Sequence, residues 1–361
     1  MKAEELLTCV QEFGRCRIAV IGDLMLDEYL WGHIERISPE APVPILSVVQ
    51  RESTLGGAGN VVENLRSLGV RVAVVGVLGE DETGEKVRSL LASHGAEAAG
   101  VVSDGNRKST RKVRLMSLEH GQQVFRLDEE STHGVNREIE DCLIRAIREA
   151  TSNAQVVLCS DYMKGVLTER VLHETFAHAR RHGIPSIVAP KDSNPQKYRG
   201  ASILVPNARE LGQLVGRRPQ GDGWMNDSAL CSIESMGLEA LLVTRGGEGM
   251  SLFEKTKTGL RRMDIPTMAR SVYDVTGAGD TVIATFAAAL AAGSDRNCAA
   301  HLANLAAGIK VGKRGTACVS SAELQQCITI SEGDGRARHS EITKLSAISG
   351  AAIVASREGV Q

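Results

Sequence analysis

Asp274-Val275-Thr276-Gly277-Ala278-Gly279-Asp280-Thr281 is the stretch on which the reading of this chain turns. Two glycines flank one small residue, so the backbone can turn sharply and a ligand can come close to its amides. An apolar, alanine-rich run follows at once (Val282, Ile283, Ala284, Phe286 to Ala292) and reads as a buried helix. Gly277 to Asp280 is therefore expected at a helix start, where unpaired N–H groups and the positive dipole end favour an anion. Asp280 would repel phosphate, but it is suited to take a proton from a hydroxyl attacking phosphate. An ordinary helix cap explains the same octamer equally well, and the octamer alone does not choose.

Outward from it, strand–loop–helix units repeat. Polar or glycine-rich loops follow strand C-termini at residues 22–27, 160–165, 189–191, 206–210, 244–250 and 274–281. Such repetition implies a parallel sheet with helices on both faces, and the six loops line one cleft at its carboxyl edge. Asp23 and Asp27 follow the first strand, Arg17 to Asp23, as a ligand site or as turn chemistry. Gly56-Gly57-Ala58-Gly59-Asn60 opens a helix and lacks the spacing of a dinucleotide fingerprint. Trp31 to Gln50 carries Pro39, Pro42 and Pro44, which suits an edge ribbon. Arg111 to Met116 and Gln123 to Leu127 alternate as a hairpin that completes this ribbon. Lys108, Arg111, Lys112, Arg114 and Arg126 cluster there. They form a solvated face, or one or two of them grip an anionic substrate group under a lid.

Of 361 residues only 3% are aromatic, so the core must be aliphatic, as a helix-covered parallel sheet requires. A net charge of −2 gives no support to a nucleic-acid or membrane-surface partner. The eight cysteines form no Cys-x-x-Cys pair and no zinc spacing, so free thiols in a reducing cytosol are expected. The start carries Glu4 and Glu5 and no apolar signal region. The longest apolar helix falls short of the roughly 20 residues that span a bilayer. A cytoplasmic protein is the expectation. No Walker motif occurs, which argues against a P-loop kinase.

The order of these loops resembles the ribokinase-like sugar kinases, the phosphofructokinase B family, over about residues 15–330. Asp274 to Asp280 matches that family's C-terminal signature, Gly56-Gly57 with Asn60 its N-terminal one, and Asn207-Ala208-Arg209-Glu210 its Asn-x-x-Glu motif. Three further stretches resemble the heptose 7-phosphate kinases of lipopolysaccharide assembly. They are Glu35-Arg36-Ile37-Ser38-Pro39-Glu40-Ala41-Pro42-Val43-Pro44, Arg126-Leu127-Asp128 and Ser160-Asp161-Tyr162-Met163-Lys164-Gly165.

The resemblance implies a three-layer α/β/α domain over residues 1–330 with a mainly parallel sheet. It adds a small β lid (about 32–50 and 108–128), pairing into a homodimer, and a linker-like tail over 331–361. It implies ATP-dependent phosphorylation of the anomeric hydroxyl of a phosphorylated heptose. Asp280 would be the base, and Gly277, Ala278 and Gly279 the anion hole. Asn207 and Glu210, in one ATP-binding loop with Ala208 and Arg209, would organise Mg²⁺, partly through water. Thr244, Gly246, Gly247 and Gly249 would lie beside the nucleotide, and Asn304 and Gly308 near adenine or ribose. Asp23, Asp27, Gly56, Gly57 and Asn60 would bind the sugar, with Lys108, Arg114, Asp161 and Lys191 as further substrate candidates. A monovalent cation stays open as a second cofactor. The chain departs from the relatives at Ala189, where they carry an acidic residue before the Pro-Lys pair. It also contains no His-x-Gly-His nucleotidyl motif, so a kinase-only protein is expected. A kinase for another sugar phosphate or a nucleoside, and a non-catalytic sugar-binding protein on this fold, are the alternatives.

Overall fold

Short runs of Val, Ile, Leu and Ala build a nine-stranded sheet in the computed structural model. It describes residues 2–119, 121–218, 223–257, 259–269, 273–313 and 317–332. The strands in chain order are β1 (Arg17–Gly22), β2 (Leu24–Ile37), β3 (Pro44–Gly57), β4 (Arg71–Leu78), β5 (Glu97–Ser103), β6 (Thr110–Ser117) and β7 (Gln123–Glu129). They continue as β8 (Val156–Ser160), β9 (Ser186–Ala189), β10 (Ile203–Leu204), β11 (Ala240–Thr244), β12 (Met250–Thr256) and β13 (Gly259–Ile265). The helices are α1 (Ala3–Glu12), α2 (Ala58–Ser67), α3 (Glu82–Ser93), α4 (Arg137–Thr151), α5 (Glu169–Arg181), α6 (Ala208–Leu214), α7 (Trp224–Met236), α8 (Ala278–Ala291), α9 (Arg296–Val311) and α10 (Ser321–Glu332).

The large sheet runs β13-β12-β11-β10-β9-β8-β1-β4-β5 and is parallel from β11 to β5. β12 is antiparallel to β11, and β13 to β12. Two reversals leave β13 running with β11, so it too ends on the carboxyl edge. All six loops named above therefore share that edge.

Alternation along each strand sends side chains to two cores. In β1, Ile18 and Val20 join Val61, Leu65, Phe286 and Ala303 on one face. Ala19 and Ile21 join Leu143, Leu172, Phe176 and Ile233 on the other. This is the expected three-layer arrangement.

A second sheet, β3-β2-β6-β7, forms the lid. It is larger than the expected 32–50 and 108–128, because β2 leaves β1 after the single residue Asp23 and stays paired with β3 from Leu24↔Gly57 onward. β5 had no sequence signal: it opens with the weak strand formers Glu-Ala-Ala-Gly and owes its form to pairing with β4. The expected tail lies, from residue 333, outside the described residues.

Candidate active site

Side chains cap α3, α4, α5, α6 and α9 in the ordinary way, from Asp81, Asn136, Thr168, Asn207 and Asp295. Helix α8 has no such cap. Its N-cap is Gly277 at φ +75°, and Asp280 holds the third helical position, from which a carboxylate commonly folds back on its own helix start. Here it reaches outward instead. Tyr162 donates its O–H to one oxygen at 2.8 Å, and Asn60 donates Nδ2–H to the other at 2.6 Å. Among the described residues the N–H groups of Gly279 and Asp280 find no acceptor. The Ala278 N–H bonds Val275 O at 3.2 Å, which removes that residue from the expected anion hole.

Gly277 is needed twice over. Its positive φ disfavours other residues, and a Cβ there would lie 2.9 Å from Asn60 Nδ2. At Gly279 a Cβ would meet nothing within 4 Å, so that amide faces open space. Asn60 is itself held. Asn64 Nδ2 donates to the Asn60 carbonyl at 2.8 Å, and Thr281 Oγ1 donates to Asn64 Oδ1 at 2.7 Å. The starts of α2 and α8 are thus locked together, and the expected sugar ligand Asn60 is first a partner of Asp280.

Burial pushes the Asp280 carboxyl up to about 6, and the nearby charge of Asp27 adds to the rise. The Tyr162 and Asn60 hydrogen bonds and the charge of Lys191 oppose it. A carboxylate poised near 6 is ionised at neutral pH yet basic enough to accept a proton. Burial, and then Asp280 itself, hold the Tyr162 phenol well above its ordinary value, so it stays a donor. Tyr162→Phe removes a hydrogen bond made to the charged form. The Asp280 pKa is expected to rise above about 6, read from the acid limb of kcat/KM; an unmoved limb contradicts the contact.

The loop that carries Tyr162 is strained and tied down. Met163 has φ +56°, and Gly165 φ +86° where a Cβ would strike the His133 carbonyl. Both Asp23 oxygens are spent on this loop, accepting N–H groups of Tyr162 at 2.8 Å, Lys164 at 3.1 Å and Val166 at 3.1 Å. At 1% exposure, Asp23 is a support for the loop and not the expected sugar ligand. Asp161 is corrected likewise: buried, it accepts from Tyr198 Oη at 2.7 Å, Lys197 Nζ at 2.6 Å and Met163 N at 2.8 Å. The sequence reading missed Tyr162, although it lies inside a hexapeptide already singled out.

Asp27 stays at the site, paired with Arg114 at 2.8 Å. Gly56 makes room for its carboxylate, since a Cβ there would sit 2.7 Å from Asp27 Oδ2. Gly57, at φ +58°, caps α2. Lys108 is exposed, beside a shallow cavity of about 590 Å³ at the lid base whose lining includes no residue of α8.

On the other side of Asp280, Asn207 bridges Thr244 and so joins the 206–210 and 244–249 loops. Asn207 and Glu210 form a capping box, and Lys191 Nζ lies 2.9 Å from Glu210 Oε1. Side chains at Gly246 or Gly247 would meet nothing within 4 Å, leaving a bare surface. Asn304 and Gly308 are placed differently from expectation. Asn304 is buried and donates to Pro266 O at 2.8 Å, and Gly308 packs under Met268 and Ala269, so both secure the connection into α8. Ala208 and Arg209 open α6. Among the described residues no group of three or more His, Cys, Asp or Glu could hold a metal.

The model of the pfkB family carbohydrate kinases matches residues 16–322. The chain belongs to this family. It is 44% identical over 348 residues to the bifunctional protein HldE of Geotalea uraniireducens (strain Rf4), covering 96% of this chain and 70% of that protein. HldE of Geobacter sulfurreducens is 43% identical, at 93% and 67% coverage. The chain thus spans about two thirds of these relatives. Among solved structures, Escherichia coli phosphofructokinase-2 in complex with potassium aligns with a TM-score of 0.74 at 20% identity, covering 87% of this chain and 99% of that one. Arabidopsis thaliana ribokinase complexed with ribose and ATP aligns at 0.67 and 20%, covering 87% and 98%. At that identity they attest the ribokinase-like fold. This pfkB kinase is a phosphotransferase acting on a sugar, and no helix among its described residues is long and apolar enough to cross a membrane.

Proposed function

We propose that this pfkB kinase transfers the γ-phosphoryl group of ATP to O1 of D-glycero-β-D-manno-heptose 7-phosphate, giving the 1,7-bisphosphate for lipopolysaccharide core assembly. The observation that carries the chemistry is the outward-turned Asp280 carboxylate at an uncapped helix start. The similarity to HldE supports the substrate class and weighs against a nucleoside kinase or a non-catalytic binder.

In this reading Asp280 takes the O1 proton as O1 attacks the γ-phosphorus. Tyr162 and Asn60 orient the carboxylate. The free amides of Gly279 and Asp280, with the α8 dipole, receive charge on the transferring group. The Asn207–Glu210 and Thr244–Gly249 loops border the nucleotide. Mg²⁺ bound to the ATP phosphates would neutralise their charge. Asn207 Oδ1 and both Glu210 oxygens are already engaged, which fits a hydrated ion held through water and not a protein cage. The reaction is placed in the cytoplasm, where ATP is available.

The lid supports a homodimer. Four of the five phenylalanines are buried; the fifth, Phe125, is 59% exposed on β7, two residues from exposed Leu127 on the same face of the strand. Phe125→Asp is expected to convert a dimer to a monomer by light scattering; a wild-type monomer refutes the pairing.

ATP consumption over a panel of sugars, sugar phosphates and nucleosides tests the function. Turnover of the heptose 7-phosphate far above all others is expected, and none with it rejects the assignment. Exchanging K⁺ for tetramethylammonium in the same assay reads the monovalent-cation dependence.

A further inference from the structure

The lid face toward the cleft is lined by charges of both signs, Asp27, Glu52 and Asp128 with Lys112, Arg114 and Arg126, and one of its cations is left without a partner among the described residues. In the β2–β6 and β6–β7 registers, Asp27 stands opposite Lys112, Tyr29 opposite Arg114, Lys112 opposite Asp128, and Arg114 opposite Arg126. With a side-chain period of two, these residues share one face. It is the cleft face, because the charge of Asp27 acts on both Asp280 and Tyr162. Three cations of this region are already matched. Arg114 pairs with Asp27 at 2.8 Å, Arg126 with Asp128 at 2.8 Å, and Lys164 with Glu130 at 2.7 Å.

Lys112 is half-buried in their midst and makes no ion pair or hydrogen bond with another described residue. Burial, and then the charge of Lys164, pull its pKa down; Asp128 and Glu130 offset this only in part. An ammonium left in that state lowers its free energy by meeting an anion. Lys108, the basic residue first expected in this role, is exposed and pays no such desolvation cost. The orphan cation also lies on the strand next to Asp27, about 4.8 Å away by strand spacing, on the lid side of the base and away from the nucleotide loops.

We infer that Lys112, flanked by Arg126 and Lys164, is the subsite for the terminal phosphate of the sugar substrate, and so selects phosphorylated sugars over neutral ones. This rests on the proposed reaction for the identity of the sugar, but not for the anion preference. A phosphate dianion there gives the Lys112 ammonium the charge-assisted hydrogen bonds it otherwise lacks and anchors the sugar at the end remote from O1.

Isothermal titration of the full chain with the heptose 7-phosphate, with the same heptose unphosphorylated, and with two other sugar phosphates tests this. The wild type is expected to bind the phosphorylated heptose at least about tenfold more tightly than the neutral sugar. Lys112→Gln is expected to lose about 10- to 100-fold for the phosphorylated sugars, the scale of one charge-assisted hydrogen bond. It should leave the neutral sugar and ATP unchanged, and Lys112→Arg should recover part of the loss. An unchanged melting temperature shows that Lys112→Gln folds. Equal wild-type affinity for the phosphorylated and neutral heptose overturns the inference, as does a Lys112→Gln variant that binds the phosphorylated sugar like the wild type. If Lys112→Gln weakens all sugar phosphates while the wild type phosphorylates none, the subsite stands and the proposed reaction fails.

Discussion

Asp280→Asn is expected to lower kcat about 10³-fold, within the usual range for loss of a general base, with ATP affinity changed by less than about twofold. Among the described residues at the helix start, this carboxylate combines the position and the basicity to take a proton. It is held from two sides, by Tyr162 at 2.8 Å and Asn60 at 2.6 Å, and its pKa of about 6 keeps it ionised at neutral pH. An amide keeps the size but cannot accept the proton. Its NH₂ group must face either Asn60 Nδ2 or the Tyr162 hydroxyl, so Asp280→Ala, which brings no new donor, is the companion variant. Both should lose kcat and kcat/KM together, the pattern of an interaction made in the transition state. Near-normal turnover by either variant removes Asp280 from the role.

Asp23→Ala is expected to act on stability. Its buried carboxylate accepts three backbone N–H groups from the Tyr162–Val166 loop. Removing it leaves three donors without that acceptor, at about 1–1.5 kcal/mol each and so about 3–5 kcal/mol in all. In a chain of this size that lowers Tm by about 10 °C. Loss of kcat follows indirectly, because the loop positions the Tyr162 hydroxyl on Asp280. Scanning calorimetry decides it. An unchanged Tm with a raised KM for the sugar would return Asp23 to the sugar-binding role first expected from its place after β1.

The contrast between these two aspartates shows what could be read from residues alone. Asp23 and Asp280 both follow a strand at the carboxyl edge, and both sit beside glycine, so local pattern gave them similar standing. Burial and partners separate them: Asp23 is enclosed by amides of a loop 139 to 143 residues away, and Asp280 faces the cleft. The sheet was legible because parallel strands are near-continuous aliphatic runs ending in polar loops. The lid's true extent was not. Residues 24–31 carry the same apolar character as β1, and only the departure of the chain at Asp23 assigns them to a second sheet. Tyr162 escaped because a single phenol in a loop has no periodicity; its role comes from a contact across 118 residues. Asn304 and Gly308 were misplaced for a similar reason, since the 266–269 segment they hold is distant in sequence and carries no motif.

The pH dependence of single-turnover phosphoryl transfer, with ATP and the heptose 7-phosphate prebound, tests the role of Asp280 most directly. Protonation of its carboxylate removes the base, so the rate is expected to be level at neutral pH and to fall tenfold per pH unit below a midpoint near 6. A rate that stays level down to pH 4.5 would contradict the account, because transfer would then proceed with the carboxylate protonated.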